Sequence, residues 1–296
     1  MLPFKKILFP VDYSDSCRAL APYVKEWKQH FSAELVLIHA YALQPAFAAR
    51  TAEGSLVYDE VIAVDPAWPS EIQAAEQERL RKFAASAFAA ESLETVLEEG
   101  EPGTVIHRYL QREGADLVVL PTRGLGPIRR LLLGSVTAKV LHDVAVPVLT
   151  EAGAAIVEHQ PQSRCRTILC ALEPGEEAEA VLKAGCVLAK SFGAELHLVR
   201  VVPTPPPGSE IDFTPYRKEL IDAADVWLRE LKGKFGIDVP HAILDAEITE
   251  GIRHEAIRRK ADLIVTGRGH AQDFLSRAWS HLYPIVRESP CPVLSI

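Results

Sequence analysis

The amino-acid sequence is written twice. "KKILFPVD" at Lys5–Asp12 returns as "RTILCALE" at Arg166–Glu173, and "SAELVLIHAY" at Ser32–Tyr41 returns as "GAELHLVRVV" at Gly193–Val202. "GADLVVLPTRG" (Gly114–Gly124) returns as "KADLIVTGRG" (Lys260–Gly269), and "VPVLT" (Val146–Thr150) as "CPVLS" (Cys291–Ser295). The matches keep one order, which marks a duplicated unit and constrains the fold more than any single motif does. Two units are expected, residues 1–151 and 164–296, joined by a linker at 152–163 that contains Pro161.

Each repeated block is a short, apolar, β-branched run, the pattern of a strand covered on both faces. Helical patterns lie between the blocks: Ser14–Phe31, Ser70–Phe88, Gly103–Glu113 and Leu131–Asp143 in the first unit. The second unit matches them with Glu176–Phe192, Pro215–Phe235, Thr249–Lys260 and Leu275–Ser289. Strand alternating with helix implies an α/β fold: two doubly wound parallel-sheet domains in tandem, Rossmann-like, with right-handed crossovers. Ligands of such sheets sit beyond the carboxyl ends of the strands, where strand order reverses. "PVDYS" after the first strand and "PTRGLG" after the fourth share that address.

Composition removes several function classes. Hydrophobic residues make up 48% and charged residues 24%, as in an ordinary globular protein. A net charge of −8 works against nucleic-acid binding, because phosphate contacts need a positive face. The apolar run before Asp12 is too short for a signal-peptide core, and no run approaches the ~18 apolar residues of a membrane span. Cys17, Cys165, Cys170, Cys186 and Cys291 are odd in number and show no C-x-x-C spacing. Free thiols, a cytoplasmic location, and no membrane or nucleic-acid partner are therefore expected.

The stretch "GLGPIRRLLLGS" (Gly124–Ser135) carries the chemistry. A phosphate-bearing ligand needs converging backbone N–H groups and glycines that let it approach. Gly124 and Gly126 tolerate positive φ, while Gly134-Ser135 opens a helix whose first amides can face an anion. Arg123, Arg129 and Arg130 supply positive charge nearby. Asp12, on the neighbouring strand end, suits a ribose or amine hydrogen bond. Blander readings stand beside these: Asp12, Ser14 and Asp15 precede a helix and can cap it, the glycines can turn the chain, and the "IRR" arginines can be solvated surface.

On "KKILFPVDYSDSCRAL", "ELVLIHAY", "EGEPGTVIHRYLQREGADLVVL", "RGLGPIRRLLLGSVTAKVLHDVAVPVL" and their second-half counterparts, the chain resembles a tandem member of the universal stress protein family. The resemblance covers nearly the whole chain and implies the adenine-nucleotide alpha-hydrolase-like variant of the fold. Family members that bind nucleotide carry Gly-x2-Gly-x9-Gly-Ser/Thr and hold ATP without strong enzymatic activity; others lack the motif and bind none. Carried onto this sequence, the resemblance implies Asp12 near the ribose and Ala40 beside the adenine. It implies Gly124, Gly134, Ser135 and the Val136 amide at the phosphates, with Arg123 close by.

Two departures matter. Pro121 stands at the family's first glycine and offers no N–H, an expected loss of about 10- to 100-fold in affinity. In the second half, Gly267 meets the first glycine; His270 takes the second unless the register slips to Gly269, the helix-start glycine is lost in either register, to Ser280 or Trp279, and Glu173 replaces Asp12. Strain from misfitting side chains of about 2–4 kcal/mol is expected there, and no ATP binding.

No P-loop, G-x-S-x-G or H-E-x-x-H motif is present, and no histidines stand at metal-ligand spacing, so neither catalysis nor a metal is expected. The leading reading is a non-catalytic stress-response sensor or regulator holding ATP or another adenine nucleotide in its first half. The alternative is a nucleotide-free protein-interaction module; weak hydrolysis is a remote third. The resemblance further implies an intrachain pseudo-dimer in which "VPVLT" meets "CPVLS" across a pseudo-two-fold axis. Homo-oligomers of such pairs are compatible with the sequence. The long 44–70 connection, with Trp68, reads as a surface loop or a lid on the first site.

Overall fold

The computed structural model describes residues 3–42, 68–88, 93–122, 133–151, 165–203, 216–268 and 277–296. In the first half the order is β1 (Lys6–Pro10), α1 (Asp15–Phe31), β2 (Glu34–Tyr41), α2 (Trp68–Phe88) and β3 (Glu94–Glu99). It continues with α3 (Pro102–Glu113), β4 (Leu117–Leu120), α4 (Ser135–Asp143) and β5 (Val148–Thr150). The second half repeats the series as β6 (Thr167–Ala171), α5 (Ala178–Phe192), β7 (Glu195–Pro203), α6 (Arg217–Phe235) and β8 (His241–Ala246). It closes with α7 (Ile248–Arg259), β9 (Leu263–Thr266), α8 (Arg277–Glu288) and β10 (Val293–Ser295). The linker 152–163 lies outside the described residues.

The strands form one sheet of 10 in the order β3-β2-β1-β4-β5-β10-β9-β6-β7-β8. Every pair is parallel except β5 with β10, whose antiparallel register sets Leu149 opposite Leu294. The last strands of the halves thus meet, and the doubly wound sheets are continuous. Thr150 Oγ1 donates to Val293 O (3.3 Å) and Ser295 Oγ donates to Val148 O (3.2 Å), the same bond from either side.

Alternation along the strands feeds two cores, one on each face. In β1, Ile7 and Phe9 join the layer under α1, α2, α5 and α6, while Leu8 joins the layer under α3, α4, α7 and α8. Both layers contain residues from both halves. Across the first, Phe192 of α5 stacks on His30 (4.1 Å between centroids) and meets Trp27 and Phe31 of α1 at 5.6 and 5.5 Å. Across the second, the Tyr283 hydroxyl of α8 donates to Ala138 O of α4 at 3.0 Å.

Helix starts deviate from the sequence pattern where caps decide them. Ser14 caps α1, its side chain accepting the Cys17 N–H. Glu101 and Glu247 cap α3 and α7 in the same way, the repeat extending to the caps. The apolar run Leu131–Asp143 suggests an earlier start, yet α4 begins only at Ser135, with Gly134 as N-cap. α2 takes in Trp68 and Pro69, ahead of the sequence pattern's Ser70. All five cysteines are free. Among the described residues no helix is long and apolar enough to cross a membrane.

Candidate functional site

Strand order reverses between β1 and β4 in the first half and between β6 and β9 in the second, which creates two mouths at carboxyl strand ends. At the first mouth, Asp12 follows β1 and is half-buried. Its Oδ1 accepts from Ser14 N (3.0 Å) and from the Cys17 thiol (3.0 Å), while Oδ2 takes no hydrogen bond from the described residues. Asp12 shapes the loop, and Ser14 caps the helix. Burial, and then the Asp12 charge, push the Cys17 thiol up to about 12, so it stays protonated and inert.

Beyond the end of β4, the strand beside β1, lies the start of α4. The Gly134 N–H donates to Thr122 O (3.0 Å), and Thr137 Oγ1 donates to Pro121 O (2.9 Å), tying the end of β4 to the helix. Pro121 contributes a carbonyl where its missing N–H would otherwise count. Among the described residues no side chain caps α4, so the amides at Ser135 and Val136 begin the helix with no side-chain acceptor from them. Ala40, near the end of β2, packs against the second core layer. Arg123, Gly124, Gly126, Arg129 and Arg130 lie outside the described residues, as does most of the 44–70 connection.

Sequence reasoning missed the aromatic wall of this mouth. Tyr13 holds φ of 62° in the left-handed region, a conformation that costs a side-chain-bearing residue about 1–2 kcal/mol. Packing holds it: the ring lies 4.4 Å from His39 and 5.8 Å from Phe83, with the Arg79 guanidinium 4.7 Å above it. His39 Nδ1 lies 2.7 Å from Val11 O, and Nε2 lies 3.5 Å from Glu76 Oε2. A tyrosine in "DYSD" gives no signal of positive φ, because the strain is imposed by long-range packing.

The second mouth opens into a cavity of about 530 Å³, within the range of small-molecule sites. Its wall includes Glu173, Arg200, Gly267, Arg268 and His281, beside aliphatic residues of β7, α7 and α8. The strand registers place Glu173 on Asp12, Arg200 on His39, Gly267 on Pro121 and Arg268 on Thr122. Arg200 Nη1 lies 3.8 Å from Glu173 Oε1. Arg268 is 8% exposed and bonds backward across the seam: Nη1 donates to Val144 O and Nη2 to Val146 O and Ser295 O. Burial lowers its pKa to about 10, so it is a cation at neutral pH.

A family model described as the universal stress protein family matches residues 3–150 and again 164–296. The chain belongs to the universal stress protein family. It is a tandem member, with one family unit in each half. A universal stress protein of Thermus aquaticus is 32% identical over 146 residues, 49% of this chain and 97% of that protein. One from Methanocaldococcus jannaschii is 33% identical over 148 residues, 49% of this chain and 81% of the relative. The crystal structure of a universal stress protein from Archaeoglobus fulgidus shares the fold along the whole length. Its TM-score is 0.67 at 21% identity, covering 98% of this chain and 97% of that one.

The universal stress protein motif reads differently in the two halves once geometry is added. Gly134 has φ of −60°, so the glycine at this position needs no left-handed backbone. Its counterparts in the two registers, Trp279 and Ser280, lie inside α8 (Arg277–Glu288). The close approach is at Gly267, where an added Cβ would sit 2.3 Å from Glu177 Oε2. A carboxylate packs on the second mouth at the position of Pro121. His270 lies outside the described residues.

Proposed function

We propose that this tandem universal stress protein holds an adenine nucleotide, with ATP as the leading candidate, at its first mouth, and acts as a non-catalytic regulator. The observation that carries this reading is the helix start at Gly134-Ser135, uncapped by any side chain among the described residues and set beyond β4, the strand beside β1. Amides at a free helix N-terminus attract phosphate. Asp12 keeps Oδ2 for a ribose hydroxyl, and Ala40 leaves the end of β2 open to a flat base. Arg123 and Gly124 extend the phosphate end in this reading.

The second half is proposed to exclude a triphosphate. Glu177 places negative charge against Gly267, and like charges at contact distance repel. One universal stress protein of known structure, alignable with 50% of this chain, is a complex with cAMP. Support for a nucleotide in this chain comes from its own residues at the first mouth.

Calorimetric titration of ATP into wild type and Gly134→Trp tests the assignment. Gly134 sits in ordinary extended backbone, so the indole can be accommodated without strain and blocks the cradle. Binding should fall by at least tenfold, about 1.4 kcal/mol; a heat that survives the substitution would place the nucleotide elsewhere. No nucleotide released from denatured protein, and no heat in wild type, would favour the interaction-module reading.

A further inference from the structure

The second cavity carries charge in an unusual distribution. Its carboxylates Glu173 and Glu176 are exposed to water, whereas Arg268 is buried and Arg200 half-buried. The Arg200 side chain is 16% exposed, and its ion pair with the 64% exposed Glu173 is long, at 3.8 Å. Burial lowers the Arg200 pKa, and the distant Glu173 only partly offsets it. Arg268, also in the wall, buries an Nε that has no hydrogen-bond partner. Arg200, drawn from water with only a long ion pair beside it, favours an arriving anion.

The remaining wall is aliphatic: Val199, Val201, Ile252, Leu282 and Ile285. A ligand here has an apolar body. Its charge is limited by the three glutamates Glu173, Glu176 and Glu177, which oppose a polyanion. We propose that the second-half cavity binds a small organic monocarboxylate with an apolar body, its carboxylate set against Arg200. The first half has no equivalent, since His39 occupies the Arg200 position and Thr122 that of Arg268. The duplication has produced two mouths with different ligand chemistry, one for a phosphate ester and one for a carboxylate.

Hexanoate and hexanamide, matched in shape and differing in charge, are the probes, titrated calorimetrically into the full chain. A hydrogen-bonded charge pair is worth enough to separate them by tenfold or more in favour of hexanoate. Arg200→Met should erase that preference, and Arg200→Lys should keep part of it. Saturating ATP should leave hexanoate affinity unchanged, because the two would occupy different mouths. Equal affinity for the probes, no saturable binding below about 10 mM, or a preference that persists in Arg200→Met overturns the proposal. Competition with ATP would place hexanoate in the first mouth and overturn it as well. Failure of ATP to bind bears on the first mouth alone and leaves the hexanoate comparison intact.

Discussion

Asp116 and Asp262 do the same work in the two halves. Asp116 Oδ2 accepts the N–H groups of Lys5 (2.8 Å) and Lys6 (2.9 Å), and Asp262 Oδ2 accepts those of Arg166 (2.8 Å) and Thr167 (3.0 Å). Each carboxylate fastens the start of a unit's first strand to the start of its fourth. Asp116→Ala should cost about 1–2 kcal/mol in urea unfolding, a value set by charged hydrogen bonds at a partly solvated site. Asp262→Ala should match it, and the double variant should add the two costs within about 0.5 kcal/mol. Strong non-additivity would mean that the sites communicate. The repeat "ADL" is plain in the sequence, but its purpose is not, since the bonded partners of Asp116 lie 110 and 111 residues away. Arg268 illustrates the same limit. It stands in a recognisable motif, yet its burial and its carbonyl partners depend on a loop from the other half.

Strands and helices were largely legible because their signal is local: buried runs for strands, and apolar faces at helical spacing. The start of α4 was less so, because Leu131–Leu133 continue the apolar pattern while the N-cap falls on Gly134. The α1–α5 contact across the halves was not legible at all, and it carries a pH response. His30 stacks on Phe192, and its Nε2 lies 2.8 Å from Ser191 Oγ. Burial lowers its pKa below the ordinary 6.5. The unfolded chain therefore binds this proton more readily than the folded one, so the associated stability is complete above pH 6.5 and is lost as pH falls below it. The ring is mostly solvent-exposed, which limits the effect to a few tenths of a kcal/mol. His30→Phe keeps an aromatic ring against Phe192 and removes the titration. Unfolding measured from about pH 7.5 down to 5 should show wild type losing stability relative to His30→Phe. Parallel curves would mean that the imidazole is as well solvated folded as unfolded.

The molecule as a whole is one sheet with two cores that pass through both halves, so the fused units are expected to unfold as one. Arg268 is the side chain that most directly joins them. It leaves the second-half strand β9 and satisfies Val144 O and Val146 O of the first half, together with Ser295 O. These first-half carbonyls flank the turn from α4 into β5, and α4 is the helix whose start faces the first mouth. Loss of the guanidinium would strand three buried acceptors, each worth about 1–3 kcal/mol unsatisfied, with some relief from no longer burying a charge. Arg268→Met should therefore lower stability by about 3 kcal/mol and separate the single urea transition into two as the seam gives way before the halves do. Circular dichroism followed through the urea series would show the split as a biphasic curve, since helices lie in both halves. Arg258→Met is the control: that arginine pairs with Glu255 within α7, far from the seam in the fold, and should leave the transition single. If Arg268→Met unfolds in one step at the wild-type midpoint, the halves are held by β5–β10 pairing and the shared cores alone. The second unit would then be free to vary its cavity without consequence for the first.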